Sequence, residues 1–155
     1  MKTRRFLIPF LLILFTLVGA GRSHAQDSTG IGALLESRHW TFRAQMAHPM
    51  SGQARQLTSN YDLSLRGDSL ISFLPYFGRS YVPVIGGEGG IKLNTTEFSH
   101  KWKKRKKGGY EVSIRPKSNR EVREFFLTVS ENGYGTLQVM SNNRQPISFS
   151  GYLMK

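Results

Sequence analysis

A chain of 155 residues with 22 Lys and Arg against 10 Asp and Glu has room for one ordinary domain and carries a formal charge of +12. Lacking any cysteine, it excludes a disulfide framework, a thiolate metal centre and the lipid-modified N-terminal cysteine of a bacterial lipoprotein. The charge favours anionic partners such as lipopolysaccharide phosphates, acidic glycans, anionic headgroups or extracellular nucleic acid, and it also serves solubility.

Residues 1–25 read as a secretory signal peptide. Lys2, Arg4 and Arg5 make a basic start, Phe6 to Val18 an apolar run, and Ser23-His24-Ala25 a small-residue cleavage motif before Gln26. The run of about 13 residues falls short of the roughly 20 that span a bilayer. Gly19, Gly21 and Arg22 then interrupt it, and Ala20 offers a second cleavage position. The expected organisation is a signal peptide over 1–25 and a single β-rich domain over 26–155, with no transmembrane helix after cleavage. Four basic residues lie in the leader, which leaves the mature chain near +8. Export without cysteines fits the periplasm, outer envelope or medium of a Gram-negative bacterium.

Along the mature chain, Gln26 to Gly32 reads as a loose lead-in and Ala33 to Arg38 as a short helix. His39 to Met46 alternates, with Trp40, Phe42, Ala44 and Met46 on one face of a half-buried strand. His48 to Gly52 breaks it. Tyr61 to Leu65 and Leu70 to Leu74 flank the turn Arg66-Gly67-Asp68-Ser69 as a hairpin. Pro75 to Gly90 is a long glycine- and proline-containing connection, a kind of loop that is more often functional or mobile. Ile91 to Leu93 is a short strand. Glu97 to Lys103 and Tyr110 to Arg115 form a hairpin around a basic tip, with Phe98, His100 and Trp102 on one face. Glu124 to Ser130, Thr136 to Met140 and Ile147 to Tyr152 follow, joined at Asn132-Gly133 and Asn142 to Pro146. About eight short strands with tight turns predict an all-β fold, an antiparallel β-sandwich or small open barrel with a short N-terminal helix.

Certain segments carry a resemblance. They are the Phe42-x-Ala44 strand, Leu74-Pro75-Tyr76-Phe77-Gly78-Arg79-Ser80-Tyr81, the Asn132-Gly133 turn and the closing Ile147 to Gly151 strand. With the signal peptide before them, they resemble the domain-of-unknown-function 4251 family of secreted or envelope Bacteroidetes proteins. The resemblance implies an envelope location and a β-rich fold. It brings no activity and no catalytic residues.

Two clusters stand out as candidate sites. Tyr76, Phe77, Arg79 and Tyr81 combine amphipathic rings with a guanidinium fork, a mixture suited to the mouth of a small-ligand cleft. The alternative is a structural corner in which the rings plug the barrel and Arg79 pairs with Glu88 or Asp68. Lys101, Trp102, Lys103, Lys104, Arg105, Lys106 and Lys107 form a cationic finger with a ring inside it, suited to an anion. Its alternative is a solvated loop whose lysines protect an edge strand. The run Gly86-Gly87-Glu88-Gly89-Gly90 lacks the flanking strand, helix and lysine of a phosphate loop and reads as a flexible connection.

Catalytic and metal chemistry find little footing. His39, His48 and His100 are widely separated, no pair has metal-ligand spacing, and no Gly-x-Ser-x-Gly elbow occurs. The expectation is therefore a non-enzymatic envelope or secreted binding module, monomeric, without metal or cofactor and without intracellular nucleic acid as partner. Its ligand is a small amphipathic or lipid-like molecule, or else an anionic envelope component held by the basic tip. An envelope hydrolase is the remotest reading.

Overall fold

One helix leads into nine strands in the computed structural model, which describes residues 29–81 and 89–155. The helix is α1 (Thr29–Ser37). The strands are β1 (His39–Pro49), β2 (Arg55–Arg66), β3 (Ser69–Pro75), β4 (Gly90–Thr95), β5 (Phe98–Lys104), β6 (Tyr110–Pro116), β7 (Val122–Val129), β8 (Tyr134–Ser141) and β9 (Ile147–Met154). The signal-peptide segment 1–25 and most of the glycine run at 86–90 lie outside the described residues.

All neighbouring strands pair antiparallel, in the order β4-β3-β2-β1-β9-β8-β7-β6-β5. The two edges, β4 and β5, are consecutive in sequence and separated only by Thr96 and Glu97. One stretch of chain therefore serves both edges, and the sheet curls into a nearly closed barrel. Of the two architectures expected, the open barrel is the one found. A β-bulge between Ala44 and Met46 and another between Val122 and Glu124 supply local bending. Where β1, β9 and β8 meet, the inward positions are Ala44, Gly151 and Gly135, successive partners across the strands. A Cβ on Gly135 would lie 2.5 Å from the Thr128 carbonyl oxygen, so this part of the wall tolerates only small residues.

The alternation of apolar side chains fills the interior. Phe149, Leu137, Leu127, Val112 and Trp102 are successive partners from β9 to β5, as are Ile147, Val139, Phe125, Ile114 and His100. Trp40, Phe42, Phe125 and Phe149 are buried among them. The barrel is thus a packed core, in keeping with small barrels whose inward side chains meet.

Two local expectations change. The helix begins at Thr29 rather than Ala33. Gly30 and Gly32 are poor helix formers, but Gly32 is where the helix packs on the Tyr110 ring, and a Cβ there would sit 2.9 Å from its hydroxyl. Tertiary packing outweighs local propensity. The helix ends at Ser37 and is followed by Arg38, a non-glycine residue at φ 55°, whose carbonyl accepts from Gly67 N–H at 2.8 Å. The second change follows from the bulge in β1. It puts Ala47 in the core, leaves Met46 only half-buried, and carries the strand on to Pro49.

Candidate functional site

Antiparallel alternation sends the β3–β4 connection and the β5–β6 turn to opposite ends of the barrel. The two candidate clusters therefore do not form one site.

At the first end, Pro75 is buried and Tyr76 and Phe77 pack partly against the core. The Tyr76 hydroxyl lies 2.9 Å from the Arg79 carbonyl and 3.1 Å from the Gln145 carbonyl, bracing the loop on the β8–β9 turn. Burial, offset in part by the neighbouring Arg144 charge, raises its pKa above the usual phenol value. Tyr81 N–H donates to the Asn143 carbonyl at 2.8 Å, and Gln145 N–H to that of Arg79 at 3.1 Å. Arg79 itself is exposed. Asp68, considered as its partner, faces Arg38 at 3.6 Å, and Glu88 lies outside the described residues.

The cation that organises this end is Arg144, only 6% exposed. Its guanidinium sits 5.0 Å above the Tyr76 ring, pairs with Glu121 at 2.7 Å and donates to the Gly90 carbonyl at 3.3 Å. It ties the β3–β4 connection, the β6–β7 turn and the β8–β9 turn together. Sequence reading passed over it, because Arg144 stands in a polar turn with no pattern marking it as buried. The ring of Phe77, with Arg55 4.8 Å above it, borders a hollow of about 160 Å³ between Pro49, Gln53 and Gly78. Ligand clefts usually occupy about 300–1,000 Å³.

At the other end, Lys101, Lys103, Lys104, Arg105, Lys106 and Lys107 are all exposed. Lys103 pairs with Glu111 at 3.0 Å and Arg105 with the same carboxylate at 3.4 Å. Among the described residues, Lys101, Lys104, Lys106 and Lys107 have no carboxylate partner. Gly108 and Gly109, at φ 87° and 75°, turn the chain so that these side chains point outward. Trp102 occupies an inward position opposite Val112, yet stays 38% exposed because β5 is an edge. Its ring meets Tyr110 edge-on at 5.9 Å. A hollow of about 440 Å³ opens beside the tip between Arg105, Lys107 and Gly108 on one side and Ser130, Glu131 and Asn132 on the other.

Between the ends the buried Trp40 meets the half-buried His100, a pair that the sequence did not signal. The rings of Trp40 and His100 are 6.4 Å apart, and Trp40 Nε1 and His100 Nε2 are buried without hydrogen-bond partners. Burial first, and the Arg38 charge second, hold the His100 pKa below its usual value. Only the folded register brings the residues together, across β1 and β5.

Among the described residues, no group of three or more His, Asp or Glu side chains lies close enough to hold a metal ion. His39 hydrogen-bonds the Ser37 carbonyl at 2.7 Å, and His48 the Ser150 hydroxyl at 2.6 Å. Neither bond orients a carboxylate behind a nucleophile, as a triad would require. No helix among the described residues is long and apolar enough to cross a membrane.

Curated proteins yield no match to this chain. Among solved structures, a DUF4251 family protein from Bacteroides eggerthii DSM 20697 is similar in fold, at 18% identity and a TM-score of 0.59. The similarity covers 82% of this chain and 86% of that one. The model of a domain of unknown function, DUF4251, matches residues 22–153 and so takes in all nine strands but for the last residue of β9; the chain belongs to that family.

Proposed function

We propose that this is a non-enzymatic binding module, exported to the envelope of a Gram-negative bacterium, that holds polyanions through the β5–β6 tip. The observation that carries the reading is the set of four exposed lysines, Lys101, Lys104, Lys106 and Lys107, without a carboxylate partner among the described residues. Like charges crowded on one turn repel one another, and a polyanion relieves that repulsion while releasing its own counterions. The half-exposed Trp102 ring adds an apolar, π-bearing surface beside the charges. The filled barrel interior and the small hollow at Phe77 offer less to a lipid-like ligand, and Tyr76 serves the loop with its hydroxyl. Export rests on the leader-like residues 1–25.

The test is retention on immobilised heparin over a salt series. The wild-type protein is expected to bind, with affinity falling linearly in log salt. A variant with Lys101, Lys104, Lys106 and Lys107 all changed to Gln should lose retention and flatten the slope. Retention unchanged in that variant would sink the proposal.

A further inference from the structure

The chain that forms both edges of the sheet leaves one side of β5 without a strand. β5 stands last in the strand order and pairs with β6 alone. Arg105 N–H donates to the Gly109 carbonyl at 2.9 Å just past one end of β5, and Lys117 N–H donates to the Glu97 carbonyl at 2.8 Å just before the other. Residues of an antiparallel ladder alternate between turning both backbone groups to the partner strand and turning both away. Counted from Glu97 and Arg105, Ser99, Lys101 and Lys103 bond to β6, while Trp102 and Lys104 turn N–H and carbonyl to the free side. Lys101 to Lys104 are all exposed. Among the described residues, no backbone group from a turn or loop bonds to Trp102 or Lys104.

The side chains of this edge are sorted by face. Lys101 and Lys103 stand on the outer face, where Lys103 also meets Glu111 at 3.0 Å. Trp102 stands on the inner face, its ring edge-on to Tyr110 and still 38% exposed. An open edge is a template for another strand, and lysines on it repel a strand of like charge. A second copy of β5 would set these lysines against one another, and like charges directly opposite destabilise a strand pair. The same lysines favour a strand that alternates carboxylates, facing Lys101 and Lys103, with apolar side chains, facing Trp102.

We propose that the free edge of β5 takes up an acidic, extended segment of another protein as an added strand. The outward N–H and carbonyl groups of Trp102 and Lys104 supply the main-chain hydrogen bonds, and Lys101, Lys103 and the Trp102 ring select the side chains. Lys101 and Lys104 are shared with the polyanion site of the tip, but the added strand depends on backbone groups that a polysaccharide such as heparin does not need.

Fluorescence anisotropy of a labelled peptide tests this, the probe being a hexapeptide that alternates Glu and Val. The wild-type protein is expected to bind it and to ignore the matching peptide of Lys and Val. Lys104→Gln and Lys104→Pro both remove the ammonium group. Only proline removes the outward N–H, and it does so without breaking a bond to β6. Lys104→Pro should bind the peptide about fivefold more weakly than Lys104→Gln, while the two are retained alike on heparin. Should Lys104→Pro fail to fold by circular dichroism, methylation of the peptide's own nitrogens takes its place: methyl groups on one alternate set should abolish binding, and those on the other set should not. Failure of the wild type to bind the Glu and Val peptide overturns the proposal, as does equal binding of the two variants or of the two methylated peptides. A wild-type dimer in sedimentation that Lys104→Pro dissolves would assign the edge to a second copy and overturn it too. Heparin retention reports on the tip alone, so the two readings fail separately.

Discussion

At the end of the barrel reached by Tyr76, a guanidinium, two rings and a carboxylate are drawn inward and paired; at the end reached by Lys104, ammonium groups and a ring are left in solvent. Both ends join aromatic and cationic residues, yet they do different work. Arg144 is nearly buried against Tyr76, Glu121 and the Gly90 carbonyl, and the loop around it is fixed by backbone hydrogen bonds. Lys101, Lys104, Lys106 and Lys107 are exposed, and among the described residues no carboxylate meets them. Burial and partners, rather than residue type, separate a cation that holds structure from one available to a ligand.

The sharpest way to break this contrast is to remove one cation from each end. Arg144→Ala should cost about 2–4 kcal/mol in chemical denaturation, since it leaves Glu121 and the Gly90 carbonyl without their partner. Replacing Lys101, Lys104, Lys106 and Lys107 by Gln should change stability by less than about 0.5 kcal/mol each, as surface changes do, while removing heparin retention. If Arg144→Ala proves harmless, the structural reading of the first end falls.

A smaller effect is expected at Tyr76. Tyr76→Phe keeps the ring under Arg144 but loses the contacts to the Arg79 and Gln145 carbonyls, at about 1 kcal/mol in the same assay. Arg79→Ala, on the same loop but exposed, should fall within about 0.5 kcal/mol of wild type. Equal effects of the two changes would mean that the loop is held by something other than the Tyr76 hydroxyl.

The region between the ends adds a pH dependence. Burial and Arg38 lower the His100 pKa, so the folded protein resists protonation that the unfolded chain accepts below its ordinary value of 6.5. The unfolded state then binds more protons, and stability declines as pH falls from about 6.5 toward the lower folded pKa, with the full contribution present above that window. Glu124 acts in a lower window. Burial pushes its pKa up, but the Ser113 hydroxyl and Arg115 outweigh that and hold it below its usual 4.5. Its contribution is present above that value and lost as pH falls through the folded pKa. Denaturation midpoints at pH 7.5 and 5.5 should differ in the wild type and converge in His100→Gln. A wild-type difference that survives the substitution would place the upper transition elsewhere.

Much of the architecture was legible because strand alternation and turn chemistry are local. The hairpin at Gly67, the one around the basic tip and the turn at Asn132-Gly133 each join strands near where alternation places them. The helix start was not legible, because Gly30 and Gly32 argue against it locally and the Tyr110 ring that Gly32 meets is distant in sequence. The bulge after Ala44 shifts which side chain faces inward without leaving a mark in the apolar pattern.

Composition and order alone determined an all-β chain, free of cysteine, with its cations crowded at one turn, since these depend on residue type and on neighbours along the chain. Tertiary structure alone decided that the sheet closes through β4 and β5, that Arg144 rather than Arg79 is buried, that Trp40 meets His100, and that Phe73 and Tyr134 lie on one row. The last two rest on strand register, the closure on the order of all nine strands, and the burial of Arg144 on the contacts its turn makes with Glu121 and the Gly90 carbonyl. A shift of one residue would turn every side chain of a strand to the opposite face, so only the packed core, by fixing register, could place them.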